Sequence, residues 1–281
     1  IFRFERIDFT AVLNESIHRF GLPAHSRSYS TCHYAIKGNK IYRKCYGEYV
    51  GFASFADEIL LSVTKKMRLP DTQFILNLGD YPLSHEKRDV RLPIISWCGS
   101  DETLDVVLPT YALTNTLLKG ELYNPLHDPY AMHPTPWVEK KEIAIFRGRD
   151  SNQLRLDLSR LSDSQPKLLD AGITRYFFFD TTKNPPTRSS MAMSDFFKHR
   201  YIISVDGTVA AYRLPYLLAG DSVILKSDSH HYEHFYSHLT PYDHFIPFNK
   251  DNVEETITNM KQFFVDHLQP RNIYCYYARF F

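Results

Sequence analysis

The chain has no excess of either charge. Across its 281 residues, 33 Lys and Arg stand against 32 Asp and Glu, a formal net charge of +1. That excludes the strong positive field with which nucleic-acid binders and proteins of anionic membranes capture their partners. No run approaches the roughly 18 apolar residues that span a bilayer, so no membrane-spanning helix is expected. The patterns G-x-x-x-x-G-K-[ST], G-x-S-x-G and H-E-x-x-H do not occur. P-loop phosphoryl transfer, α/β-hydrolase chemistry and zincin proteolysis are therefore disfavoured. There are four cysteines and no C-x-x-C pair, which argues against a zinc ribbon or a thioredoxin-type site. Cys32 and Cys45 flank an expected hairpin and can pair across it, but with Cys98 and Cys275 three connectivities stay open. An even count fits an oxidising compartment without requiring one. Ile1–Asp8 alternates charge and bulk, unlike a signal peptide. The missing initiator Met and the stop at Phe281 inside a helical pattern are read as a trimmed chain, with any targeting segment outside it.

What is plentiful is aromatic: 19 Tyr and 20 Phe. Such side chains can wall a carbohydrate or peptide site, but most are expected to fill a core. The length suits two domains. In the first, Asp8 caps a helix over Phe9–Phe20. Strands Cys32–Ile36 and Lys40–Arg43 form a hairpin turned at Gly38-Asn39, and a helix covers about Phe52–Lys66. A buried strand Gln73–Leu78 stops at Gly79-Asp80-Tyr81-Pro82, and another covers Ile94–Cys98. Leu118–Pro136 is rich in Pro, His and Asn and reads as a linker.

The second series begins with a strand Ile143–Phe146, a turn Arg147–Ser151 and a helix Asn152–Leu161. A strand Thr174–Phe179 and a loop Asn184–Ser190 follow. Next come a strand Tyr201–Val205, a helix opening at Val209 and closed by Gly220, and a strand Ser222–Lys226. A helix Tyr232–Leu239, a strand His244–Ile246 and helices near Val253–His267 and Asn272–Phe280 complete it. Alternating strands and helices predict α/β layers with a mostly parallel sheet. Domains are expected over 1–136 and 137–262, with a helix at 263–281 packing back on the first.

In open parallel sheets, ligands sit outside the carboxyl ends of the strands. Three turns lie at such ends: Gly79-Asp80, Arg147–Ser151 and Asp206–Thr208. They are expected to face one another across a cleft. The turn at Asp206-Gly207-Thr208 aims backbone N–H groups at a helix N-terminus, and Arg213 adds a guanidinium, which suits a phosphate. At the earlier turn, Gly148 lets a ligand approach the backbone and Ser151 or Asp150 can cap the helix. Arg149 and Arg155 can reach the same phosphate, or they are solvated arginines beside a helix cap. Asp80 is either a general base held rigidly at a strand end or a turn aspartate bonded to its own backbone. Glu233 is either an acceptor for ribose hydroxyls or a surface glutamate. His230, His234 and His238 share one face of the expected helix; zinc is conceivable, but a polar helix face is the simpler reading.

FILNLGDYP, IISWCGSDET, IFRGRDSNQLR, DFFKHRYIISVDGTVAAYRLPYLLAGDSVILK and HYEHFY together carry a resemblance. The chain resembles the Rumi-like protein O-glucosyltransferases, nearest their KDEL-motif-containing branch, from about Cys32 to Asn249 and again over Val265–Phe280. The resemblance implies a GT-B fold, two Rossmann-like domains facing across a cleft. It implies a soluble enzyme of the endoplasmic reticulum lumen that needs no bound metal or other cofactor. Such an enzyme moves glucose, or xylose, from a UDP-sugar to a Ser hydroxyl of EGF-like repeats, with inversion. Carried over, Asp80 is the catalytic base, and Arg155 and Arg213 grip the diphosphate. Thr208, Val209, Ala210, Ala211 and Tyr212 lie against UDP. Arg149 stands, next to Gly148, where some relatives place a donor-contacting Ser, and Glu233 resembles the ribose-binding acid. Two other activities fit the same residues: a catalytically weak protein that binds or helps fold EGF-like domains, and a UDP-sugar transferase acting on a polysaccharide.

Overall fold

The computed structural model describes residues 8–20, 30–47, 52–85, 92–119, 135–247, 266 and 270–280. Contacts group the chain into two compact units. One is Ile1–Leu118 with His231–His234 and Ile273–Phe281; the other is Lys119–His230 with Phe235–Asn272. Each carries its own sheet, and the class is mixed α/β with parallel strands in both.

The first unit opens with α1 (Phe9–Phe20), started by Asp8, whose carboxylate accepts the N–H groups of Thr10 and Ala11. Val12, Ser16 and Phe20 recur every four residues and form its buried face. Val12 and Phe20 pack in one cluster with Ile75, Leu83, Leu92 and Ile94. Strands β1 (Ser30–Lys37) and β2 (Lys40–Gly47) form the hairpin, both longer than expected. Gly38 and Asn39 have φ of 55° and 62°, the left-handed conformation that a two-residue hairpin turn of this hand requires. The turn sets the register, which places Cys32 opposite Cys45, and the two are disulfide-bonded. Cys98 is a buried free thiol and Cys275 an exposed one.

After α2 (Ala53–Lys66) come β3 (Thr72–Asn77), β4 (Ile94–Ser96), β5 (Gly99–Ser100), β6 (Val106–Val107) and α3 (Tyr111–Lys119). The sheet order is β2-β1-β3-β4-β6. β1 runs antiparallel to both neighbours, while β3, β4 and β6 are parallel. The last described helix of the chain (Pro270–Phe280) is tied to this unit by its tyrosines. Tyr274 bonds Ser62, Tyr276 donates to the Val107 carbonyl and Tyr277 to that of Pro109.

The second unit is built from β7 (Lys141–Arg149), α4 (Gln153–Ser164), β8 (Leu169–Arg175), α5 (Met193–Phe196), β9 (His199–Ser204), α6 (Leu214–Leu218) and β10 (Val223–Lys226). Its sheet, β10-β9-β7-β8, is parallel throughout. Burial on both faces explains the continuous apolar runs of these strands. Phe146, Leu158, Leu169, Ala171, Ile203 and Val205 form its core.

Four expectations are corrected. β8 ends at Arg175 rather than running to Phe179, because the Asp150 carboxylate accepts the N–H groups of Phe177, Phe178 and Phe179 and lifts them out of the sheet. The helix after β9 starts at Leu214, not Val209. The intervening residues bend, with Gly207 N–H bonded to Val209 O, and Pro215 sits in the first turn, where its missing N–H costs nothing. The cap of α4 is Asn152, whose side chain accepts Arg155 N–H, and not Ser151 or Asp150. No helix covers Tyr232–Leu239: His231–Tyr232 is a short strand, β11, paired with β5, and Tyr236–His238 is a single 3-10 turn. A Cβ at residue 99 would lie 2.5 Å from the Tyr232 ring, so Gly99 leaves the space that this ring occupies beside β5. His230, His234 and His238 therefore do not share a helix face. The linker over 120–134 and the helix near Val253–His267, apart from Asp266, lie outside the described residues. Among the described residues no helix is long and apolar enough to cross a membrane.

Candidate functional site

In the second unit the carboxyl ends of β7 and β9 meet at one side chain. Arg155, in the first turn of α4, is 5% exposed. Its Nε donates to Asp206 O at 2.7 Å, its Nη2 to Val205 O at 2.8 Å and its Nη1 to Arg149 O at 3.1 Å. The planar fork of a guanidinium can meet three carbonyls held at fixed angles; an ammonium cannot. Asn152 reinforces the join, its Nδ2 donating to Asp206 O at 2.7 Å and Gly207 O at 3.3 Å. Arg155 thus shapes the loop expected to hold phosphate, with much of its donor capacity already turned toward that loop's backbone.

Arg213 stands just before α6, half-buried, and donates to the Arg147 carbonyl. Neither Arg155 nor Arg213 forms an ion pair among the described residues. Burial lowers the pKa of both. For Arg155 the charge of Arg213 adds to burial, Asp206 opposes it, and the pKa falls to about 10. Two cations are fastened to the end of β7, Arg155 at the Arg149 carbonyl and Arg213 at the Arg147 carbonyl, an arrangement that an anion would stabilise.

Between them, Thr208 is half-buried, Val209, Ala210 and Ala211 are buried and Tyr212 is half-buried. A Cβ at Gly148 would lie 2.8 Å from the Phe146 ring and 3.0 Å from Arg155 Nη1, so the glycine makes room for both side chains.

Arg149 lies past a bulge in β7, exposed, with its guanidinium 5.2 Å from the Phe177 ring centre. Arg175, its register partner at the end of β8, lies 4.6 Å from the same ring. Phe177 and Phe178 are exposed, at 52% and 64%. Their loop is held by Asp150, which is fully buried. Burial pushes the pKa of Asp150 up, but the N–H groups of Phe178, Phe179 and Phe177 outweigh it and hold the group below its ordinary value. Sequence reasoning missed Arg175, Phe177 and Asn152; it placed the first two inside a strand, and only pairing across the sheet shows where that strand stops. Lys226, at the end of β10, was also missed. It is buried between the rings of Tyr236 and Phe245, and burial lowers its pKa.

In the first unit, Asp80 is exposed, three residues past the end of β3. Glu233, one residue after β11, is 1% exposed and groups with this unit rather than with the β7–β10 sheet. Among the described residues no group of three or more His, Cys, Asp or Glu is placed to hold a metal ion.

The profile of glycosyl transferase family 90 matches residues 2–281. Human protein O-glucosyltransferase 3 is 44% identical over 296 residues, covering 98% of this chain and 58% of that protein. Protein O-glucosyltransferase 2 of Danio rerio is 42% identical over 299 residues, covering 99% of this chain and 59% of that protein. Human protein O-glucosyltransferase 1 is more distant, 27% identical over 283 residues, with 87% and 69% covered. The chain spans less than two thirds of the length of the first two relatives. With the profile matching residues 2–281 and two relatives above 40% identity, the chain belongs to glycosyl transferase family 90.

Proposed function

We propose that this chain is an inverting glycosyltransferase of the GT-B type, with two Rossmann-like domains. It transfers glucose or xylose from a UDP-sugar to a Ser hydroxyl of an EGF-like repeat. The observation that carries the proposal is the pair Arg155 and Arg213, two cations without ion-pair partners among the described residues, at the carboxyl edge of a parallel sheet. Protein O-glucosyltransferases at 42–44% identity supply the reaction class.

The second unit is assigned the donor. Arg213, Arg149 and the remaining donors of Arg155 face the diphosphate, with Thr208–Tyr212 against UDP. As the sugar leaves, negative charge grows on the departing UDP. Donors already fixed by the loop stabilise that charge without reorganising. In the first unit, Asp80 takes the proton of the acceptor Ser as its oxygen attacks the anomeric carbon from the face opposite UDP. The transition state is oxocarbenium-like. Glu233 is assigned the ribose hydroxyls. The Cys32–Cys45 disulfide fits an oxidising compartment, and the endoplasmic reticulum lumen is the proposed site of action.

The test is mass spectrometry of a folded EGF-like repeat incubated with the protein and UDP-glucose or UDP-xylose. Addition of one hexose or pentose by wild type, lost in Asp80→Asn with UDP binding retained, supports the proposal. Binding of the repeat without transfer would make the chain a binding protein instead.

A further inference from the structure

Asp80 sits between two backbone groups that one side chain holds. Asn77, the last residue of β3, is 1% exposed. Its Oδ1 accepts the Gly79 N–H at 2.9 Å, and its Nδ2 donates to the Tyr81 carbonyl at 2.7 Å. The amide can face only one way, since the opposite orientation sets donor against donor and acceptor against acceptor. Its second N–H goes to Ser96 Oγ at 3.0 Å. The Ser96 hydroxyl donates in turn to Asp105 Oδ1 at 2.6 Å. Asp105, 3% exposed, accepts the N–H groups of Leu83 at 2.9 Å and Ser84 at 2.7 Å. The thiol of Cys98 lies 3.5 Å from the Asp80 carbonyl.

Two buried side chains, joined through Ser96, thus hold Gly79, Tyr81, Leu83 and Ser84 by their backbones. The turn is fastened on both sides of Asp80 from beneath, through β3 and β4, whose pairing fixes Asn77 against Ser96. Because Asn77 takes the Gly79 N–H and the Tyr81 carbonyl, these two groups are satisfied without the Asp80 carboxylate. A base whose backbone is pinned at the residues before and after it presents its carboxylate with little positional freedom, which proton transfer demands.

We propose that Asn77, backed by Ser96 and Asp105, is the positioning residue for Asp80. This rests on Asp80 being the general base. Asn77 touches no reacting atom; it acts through the turn.

The experiment compares Asn77→Ala, Asp80→Asn and Asn39→Gly in the full-length protein, by steady-state transfer to a folded EGF-like repeat, UDP affinity and melting temperature. Asn39 is the control: its side chain also bonds two backbone groups of this unit, the Thr64 carbonyl and the Leu69 N–H, away from the Asp80 turn. Gly tolerates its left-handed φ of 62°. Loss of either staple lowers the melting temperature. Of these two, only Asn77→Ala lowers kcat, by about tenfold to a hundredfold, with KM and UDP affinity unchanged. A kcat of Asn77→Ala no lower than that of Asn39→Gly overturns the proposal. If Asn77→Ala does not fold, Ser96→Ala decides: a several-fold fall in kcat at constant KM supports the proposal, and an unchanged kcat overturns it. If Asp80→Asn keeps full activity, the base assignment itself fails and the positioning role falls with it. An inactive Asp80→Asn beside a fully active Asn77→Ala removes the positioning role alone.

Discussion

The guanidinium of Arg155 donates to the carbonyl of Asp206 at 2.7 Å, tying the first turn of α4 to the loop that follows β9. Residues separated by 51 positions are joined by a group that also binds Val205 O and Arg149 O. Arg155→Lys keeps the charge and loses the fork. Charge-assisted bonds to buried carbonyls contribute roughly 1.5–3 kcal/mol each, so a loss of about 2–4 kcal/mol in unfolding free energy is expected. UDP affinity falls with it, because the loop is no longer held. Chemical denaturation and calorimetric UDP titration check both. A variant as stable as wild type would show that these bonds do not organise the loop.

Gly148→Ala tests the same join from below. The new Cβ meets the Phe146 ring at 2.8 Å and Arg155 Nη1 at 3.0 Å, so the ring must move and the guanidinium must give slightly with it. Weaker UDP binding and a lower melting temperature are expected together. For contrast, a Cβ at Gly220 would meet the Phe197 ring at 1.8 Å. Gly220→Ala is therefore expected to destabilise the second unit more strongly, through overpacking.

Asp150 is expected to make stability depend on pH. Its pKa is held below the ordinary carboxylate value in the folded state. The stabilisation is therefore present in full above the unfolded-state pKa and is lost as pH falls through the folded-state value. Asp150→Asn is expected to cost more stability at pH 6 than at pH 3, the gap closing below about pH 4. Urea denaturation of both proteins at the two pH values measures it. A gap that does not depend on pH would show that ionisation of Asp150 adds nothing to the hold on the Phe177–Phe179 loop.

The Cys32–Cys45 disulfide closes a hairpin with a sequence separation of 13. Loop entropy for a closure of this size gives about 3 kcal/mol. Cys32→Ser with Cys45→Ser is expected to lower stability by roughly that amount, less whatever order the Gly38-Asn39 turn already imposes on the unfolded chain. Denaturation of the double variant, compared with wild type, reads it directly.

Much of the architecture is legible in the sequence. Local rules sufficed where the cause is local. Asp8 before an amphipathic run starts α1, Gly38-Asn39 turns a hairpin, and apolar runs such as Phe74–Leu76 form buried strands. The hairpin register also makes the Cys32–Cys45 pair, although four cysteines alone left three pairings open. The turns expected at Gly79-Asp80, Arg147–Ser151 and Asp206–Thr208 rest on the same kind of signal, polar residues and glycine after an apolar run, although β7 runs on through Arg147 and Gly148 to Arg149 before the second of them.

What the order of residues could not convey is which distant group would claim a backbone. Tyr176–Phe179 has the composition of a strand, yet Asp150 takes its N–H groups. Val209–Arg213 has the pattern of a helix, yet Arg155 and Asn152 take the carbonyls just before it. Tyr232–Leu239 reads as a helix, yet Gly99 opens a place for Tyr232 beside β5. Asn77 is an ordinary strand residue until Ser96 and Tyr81 come within reach of its amide. Periodicity and turn chemistry act over a few residues and decide where elements form. The partners of buried polar groups are chosen by packing across the sheet, and those partners shape the site.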